Sequence, residues 1–409
     1  MDRDLEEKIL AAAIYEINGA GWKLLSELYE DAGSMKEIFE GFASGRTGIR
    51  EKIRGRGSSE ILALLNSYGK NPEGFTEEKK NLLEGYEAKG IHFTYYYENA
   101  YPKRLKSIPG PPFGIYYLGK LPDEDRPVVS MIGARDCSEY GRRCAELFGK
   151  SLAEYGVQIV SGMARGIDGT SQKAALSAGG ETYAVLGSGV DVCYPSANRS
   201  LYEEAANHGG ILSEYKPGTE AKSTLFPARN RIIAGLSDLL LVVEARHRSG
   251  TYITVCQALE QGREIFAVPG RITDGLSDGC NQLIKDGAGI ASDPKAILDA
   301  LMGRFELQSL SSGFAKTAEA GVGKRTETQE EANLTGVAKK AEVCTAGSAN
   351  ALLSALLRSL EETPQPMEVI LKRLSGFGFD LSYTELLCEL TDLCLLGKAE
   401  GIGNYYRKT

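Results

Sequence analysis

The residues best suited to chemistry in this chain are glycines and arginines. Glycine-rich turns recur at Gly133-Ala134-Arg135, from Ser161 to Asp168, at Gly187-Ser188-Gly189 and at Ser249-Gly250-Thr251. Each sits where an apolar run ends, so each can aim main-chain N–H groups or a helix N-terminus at an anion. Tight-turn geometry is the competing explanation for any one of them. The stretch Lys222 to Arg231 (KSTLFPARNR) joins Lys222, Phe226, Arg229, Asn230 and Arg231 ahead of an apolar helix. Arginine forks fit phosphate oxygens, and an aromatic face can stack a base. Between residues 222 and 250 the Lys and Arg outnumber Asp and Glu by three, although the whole chain carries a net charge of −8. The competing role for these arginines is structural pairing with carboxylates such as Glu214 or Asp238.

Signals for catalysis are weak. Histidine occurs only at positions 92, 208 and 247, which limits general-base mechanisms near neutral pH. Gly275-Leu276-Ser277-Asp278-Gly279 matches a nucleophile elbow, but that motif needs a strand directly before it and a histidine after it. Residues 270–274 read as loop and the last histidine lies upstream, so the match is a coincidence of spacing. Gly187-Ser188-Gly189 lacks the third glycine of a dinucleotide fingerprint. Gly149-Lys150-Ser151 lies inside a predicted helix, with Cys144 where a P-loop needs glycine. Asp168, Asp191 and Glu244 are candidates for metal or ribose contacts, but a helix cap, a turn residue and a strand-end acid are the favoured roles. The eight cysteines include no CxxC pair, so neither zinc nor a redox pair is supported. The sequence assigns no catalytic residue, no metal and no cofactor.

Four segments make up the chain that must position these turns. At roughly 150 residues per domain, 409 residues allow two to three domains. Residues 1–105 read as a helical domain, SAM-like or helix-hairpin-helix-like, with a break at Asn18-Gly19-Ala20-Gly21 and a strand at 91–97. That break is either a phosphate-facing Gly-x-Gly turn or a tight turn in a helical bundle. Residues 106–303 alternate strand and helix, with apolar strands at 128–132, 157–161, 182–186, 211–214, 239–244 and 264–268. Continuous apolar strands between helices predict a doubly wound, mostly parallel α/β sheet of Rossmann-like type. Its ligands belong beyond the C-terminal ends of the strands. Asp168 is expected to cap the helix after the second of these turns, and Gly156 to end the helix before it.

Residues 304–350 read as a flexible linker, since only six of the 42 residues from 309 to 350 are large and apolar. Residues 351–409 then suggest a winged helix, with helices at 351–361, 366–374 and 382–396 and a hairpin at 401–406. The third of these helices carries Glu385, Glu389 and Asp392 and no basic residue. It is therefore ill suited to a duplex, and a protein contact or a lid fits it better. No apolar run reaches the roughly 18 residues a membrane span requires, and the first ten residues are too charged for a signal peptide. A cytoplasmic protein is expected.

Taken in order, these motifs resemble the DprA family (DNA-processing protein A, also called Smf). The resemblance rests on Tyr101-Pro102, Gly133-Ala134-Arg135, the Ser161–Asp168 and Ala184–Asp191 segments, Tyr194-Pro195 and Leu212–Tyr215. It continues through Phe226–Ser237, Val243-Glu244-Ala245, Ser249-Gly250-Thr251, Ala267–Gly270 and Gly279-Cys280-Asn281. It implies a homodimeric, non-catalytic protein that binds single-stranded DNA and helps load RecA recombinase during natural transformation. By motif position the DNA-binding residues would be Gly133, Arg135, Ser161, Gly162, Ala164, Gly166, Ile167, Phe226, Arg229 and Asn230, with Lys222 beside them. Three positions depart from the family: Gln172 replaces a histidine, and Thr251 and Tyr252 make Ser249-Gly250-Thr251-Tyr252 of the usual Ser-Gly-Ser-Leu. Two rival functions remain on the sequence. One is a LOG-like nucleotide N-glycosidase, for which Ser249-Gly250-Thr251 with Glu260 is a partial match. The other is a protein-interaction scaffold with a vestigial DNA pocket.

Overall fold

The computed structural model describes residues 2–302 except 47, 56 and 248. It also describes residues 346–408 except 362, 364, 380, 382–385, 388, 391, 392, 394–398, 403 and 404. The described chain divides into two units, Met1–Glu306 and Leu307–Thr409.

The first unit begins with helices α1 (Arg3–Tyr15), α2 (Trp22–Ala32), α3 (Met35–Ala43), α4 (Ile49–Lys52), α5 (Ser58–Lys70) and α6 (Pro72–Glu87). Local chemistry sets several of their ends. The Ser34 hydroxyl accepts from the Glu37 N–H, and Asn71 accepts from Gly74 with Pro72 in the first turn. The Asn18–Gly21 break is a tight turn: Gly19 has a φ of 107°, and the Asn18 carbonyl packs on Gly57, where any Cβ would strike it.

Strand β1 (Ile91–Tyr95), short helix α7 (Lys103–Lys106) and β2 (Gly114–Gly119) follow. The alternating part is β3 (Val128–Ile132), α8 (Glu139–Glu154), β4 (Gln158–Ser161), α9 (Ile167–Ser177), β5 (Thr182–Val185), α10 (Arg199–Asn207), β6 (Gly209–Ser213), α11 (Leu225–Leu236), β7 (Leu239–Val242), α12 (Thr251–Glu260), β8 (Glu264–Ala267), α13 (Asp278–Lys285), β9 (Gly289–Ile290) and α14 (Pro294–Met302).

Among the described residues the strands form one nine-stranded sheet in the order β1-β2-β6-β5-β4-β3-β7-β8-β9. From β6 to β9 every pairing is parallel, while β1–β2 and β2–β6 are antiparallel. The doubly wound, mostly parallel reading is therefore correct. Strands β3, β4, β5 and β7 are buried along their whole length, which is why they read as unbroken apolar runs. The chain starts the parallel part at β3, winds outward through β4, β5 and β6, then returns to β3's other side with β7. The crevice at that reversal is where such sheets take ligands.

The helical segment is continuous with the sheet. Ile9, Leu10 and Ile14 of α1 share one buried cluster with Phe93, Tyr116 and Ile211 of the sheet's antiparallel side, and β1 is hydrogen-bonded to β2 in full register. Position 105 falls inside α7, within the first unit.

The second unit contains α15 (Ala346–Ser359), β10 (Gln365–Pro366), α16 (Met367–Gly376), β11 (Ala399–Ile402) and β12 (Tyr405–Lys408). Its strands pair antiparallel in the order β10-β12-β11. Helix α15 starts five residues before the expected 351. Most of the expected linker at 304–350, and most of the expected helix at 382–396, lie outside the described residues. Among the described residues no helix is long and apolar enough to cross a membrane.

Candidate nucleic-acid interface

The turns after β3, β4, β5 and β7 surround one cleft of about 640 Å³ and a smaller pocket of about 100 Å³ beside it. Arg135, Ala164, Tyr194, Phe226 and Arg229 line both. Gly133 and Asn230 line the larger cleft, and Gly162 the smaller pocket. Seven of the eleven expected residues therefore converge at the C-terminal rim of the parallel strands.

Two arginines approach one ring from different settings. The guanidinium carbons of Arg135 and Arg229 stand 5.8 and 5.9 Å from the centre of the Phe226 ring. Arg135 is exposed, and among the described residues it makes no ion pair. Arg229 is only 5% exposed. It donates to the carbonyls of Gly162, at 3.1 Å, and of Val185, tying the ends of β4 and β5 together. Its Nε is buried without a partner. Burial pushes this guanidinium down to about 10, against the opposing attraction of Asp168 and Tyr215. Arg231, two residues on, takes the structural role instead. Its Nη1 and Nη2 donate to Glu214 at 3.0 and 2.7 Å. Asp238 pairs with Arg104 at 3.2 Å.

The loop between β4 and α9 is built from within. Asp168 is not the N-cap of α9. Gly166 takes that place, with a φ of 76°, and Asp168 lies in the first turn, turned back to accept from the Gly162 N–H at 3.2 Å. Burial raises the Asp168 carboxyl, while Arg229 and the Ala164 and Gly162 amides pull it the other way. The amides of Ala134 and Ile167 are engaged as well, with the carbonyls of Glu244 and Ala134. These N–H groups hold the loops and are not available to an anion.

Three expected residues support the cleft from beneath, and one stands apart. Ser161 is fully buried and donates to the Met131 carbonyl at 2.6 Å. Ile167 is fully buried, and a Cβ on Gly133 would lie 2.7 Å from it. Gly166 makes the left-handed turn that starts α9. Lys222 is exposed and outside the lining, although its neighbours Ala221 and Ser223 are on it.

The remaining acids have structural roles. Glu244 accepts from the Ser138 N–H at 2.7 Å and its hydroxyl at 2.5 Å. Asp191 accepts from the Gly218 N–H at 2.7 Å. Ser277 is a buried N-cap preceded by turns, so no elbow exists there. Among the described residues no group of three His, Cys, Asp or Glu is placed to hold a metal.

Residue-by-residue reading left out Tyr194, Arg165 and Arg246 as cleft residues. Tyr194 is 50% exposed and stacks on Phe226 with centres 5.5 Å apart at 27°. The signals in the sequence were the Tyr194-Pro195 motif just after the Gly187–Asp191 turn and the place of Arg246 in the basic 222–250 stretch.

Fold and cleft together define a Rossmann-like α/β protein with a cationic, ring-bearing cleft at its strand ends. The sequence profile of the DNA recombination-mediator protein A family matches residues 92–302, and the chain belongs to that family. It is 45% identical to the DNA processing protein DprA of Streptococcus pneumoniae over 201 residues, 49% of this chain and 71% of that one. It is 35% identical to the protein Smf of Synechocystis over 291 residues, 70% of each. Among solved structures it is similar to that of Streptococcus pneumoniae DprA, with 34% identity, a TM-score of 0.49 and coverage of 66% of this chain and 98% of that chain.

Proposed function

We propose that this protein binds single-stranded DNA without regard to sequence in the cleft at the strand ends. It acts as a non-catalytic recombination mediator and homodimer that helps load RecA onto incoming DNA during natural transformation. The observation that carries the DNA reading is the convergence of Arg135 and Arg229 on Phe226 in an open cleft. An exposed guanidinium without a carboxylate partner is placed to grip phosphate, and phosphate contacts carry no sequence information. The concave site suits a flexible strand. Duplex DNA is convex and is read by elements that project into its grooves.

Family membership supports the mediator role, and the matched residues include the whole cleft. The N-glycosidase reading is disfavoured by geometry. Glu260 ends α12 while Thr251 begins it, so about 14 Å of helix separates the acid from the glycine turn.

Titration of labelled single-stranded and duplex oligonucleotides tests the binding step. Preference for the single strand, lost in Arg135→Ala, supports it. Equal binding by the variant would overturn it. RecA filament formation on a strand coated with single-strand-binding protein tests the loading step, which requires faster assembly when this protein is added.

A further inference from the structure

The two rings in the cleft differ in exposure: Phe226 is partly buried and Tyr194 is half exposed. Phe226 rests on the main chain of Gly187, where a Cβ would stand 2.7 Å from its ring. Arg135 and Arg229 flank it at 5.8 and 5.9 Å, and Tyr194 stacks on it. Phe226 is partly buried among these neighbours and still lines both cavities. Tyr194 is half exposed, lines both cavities, and its hydroxyl has no hydrogen-bond partner among the described residues. Its ring is therefore stacked against Phe226 while half of the residue stays exposed at the cavities it lines. The rim carboxylate Asp136 is paired with Arg165 at 3.5 Å, which reduces its repulsion of a polyanion.

Resting on the reading of the cleft as a single-stranded DNA site, we propose that Tyr194 is the platform on which an unpaired base stacks, with Phe226 as its backing. A base covers the exposed part of that ring at little ordering cost, because the pair already fixes the plane of the tyrosine ring. Such stacking tolerates any base, since every base has a π-face. Phosphate gripped by Arg135 and base held on Tyr194 would then be separate contacts with separate losses.

Two labelled oligonucleotides of equal length separate them: a thymidine strand and an abasic strand with the same phosphodiester backbone. Fluorescence anisotropy of the full chain at one salt concentration reads both. Tyr194→Ala is expected to weaken the thymidine strand about tenfold and leave the abasic strand unchanged. Tyr194→Phe should bind both as the unaltered protein does. Tyr194→Leu keeps Phe226 covered without a π-face, and should match Tyr194→Ala even if the alanine variant is unstable. Equal weakening of both strands, or no weakening of the thymidine strand, overturns the proposal. If Arg135→Ala affects neither strand, the cleft reading itself fails, independently of Tyr194.

Discussion

At the scale of single residues, the two cleft arginines do different work. Arg135 is exposed and unpaired among the described residues, so Arg135→Ala removes a charge-assisted phosphate contact of about 1.5–3 kcal/mol. Single-stranded DNA binding should fall roughly ten- to hundredfold, with no change in thermal stability. Arg229 is buried and joins the ends of β4 and β5. Arg229→Ala leaves those carbonyls and the Asp168 carboxylate without their cation, a loss of about 3 kcal/mol in stability. Chemical denaturation of both variants checks this. An Arg229→Ala protein as stable as the unaltered one would make Arg229 a direct contact and not a strut. The sequence shows that arginines lie at 229 and 231 but not which is which. Two helical residues point about 200° apart, and only the fold reveals that 231 faces Glu214 while 229 faces Gly162. The Phe226–Tyr194 stack is equally hidden, because residues so far apart in the chain leave no local pattern.

At the scale of elements, the site depends on how loops lock onto each other. Gly166 starts α9 with a positive φ, and a Cβ there would strike the carbonyls of Ala134 and Arg135. Gly166→Ala is expected to cost about 2–4 kcal/mol through backbone strain and collision. It should also weaken DNA binding by displacing Arg135. Melting curves and gel shifts on one preparation check both, and a variant that melted normally would show that the loops adapt. The parallel strands were legible because burial on both faces makes them continuous apolar runs. Strand β2 lies outside the expected strands: glycines begin and end it, and both its partners are antiparallel. Strand β9 was missed because two residues carry no period. The expected cap at Asp168 failed for a physical reason: the buried carboxylate binds backward to the Gly162 loop, and glycine supplies the turn.

At the scale of the whole molecule, the cleft and the family match at residues 92–302 both fall within the first unit. A chain ending at residue 306 should bind single-stranded DNA within about threefold of the full chain, measured by anisotropy. A large loss would assign part of the site to residues 307–409. The net charge of −8 means that the protein as a whole repels DNA, so binding has to come from a local field that salt screens within about 10 Å. The most direct test is therefore the salt dependence of affinity for a single-stranded oligonucleotide, measured for the unaltered protein and for Arg135→Ala. Affinity should fall steeply with salt, and the variant's slope of log K against log salt should be shallower by about 0.7, one phosphate's share. Identical slopes in the two proteins would contradict a phosphate grip at Arg135.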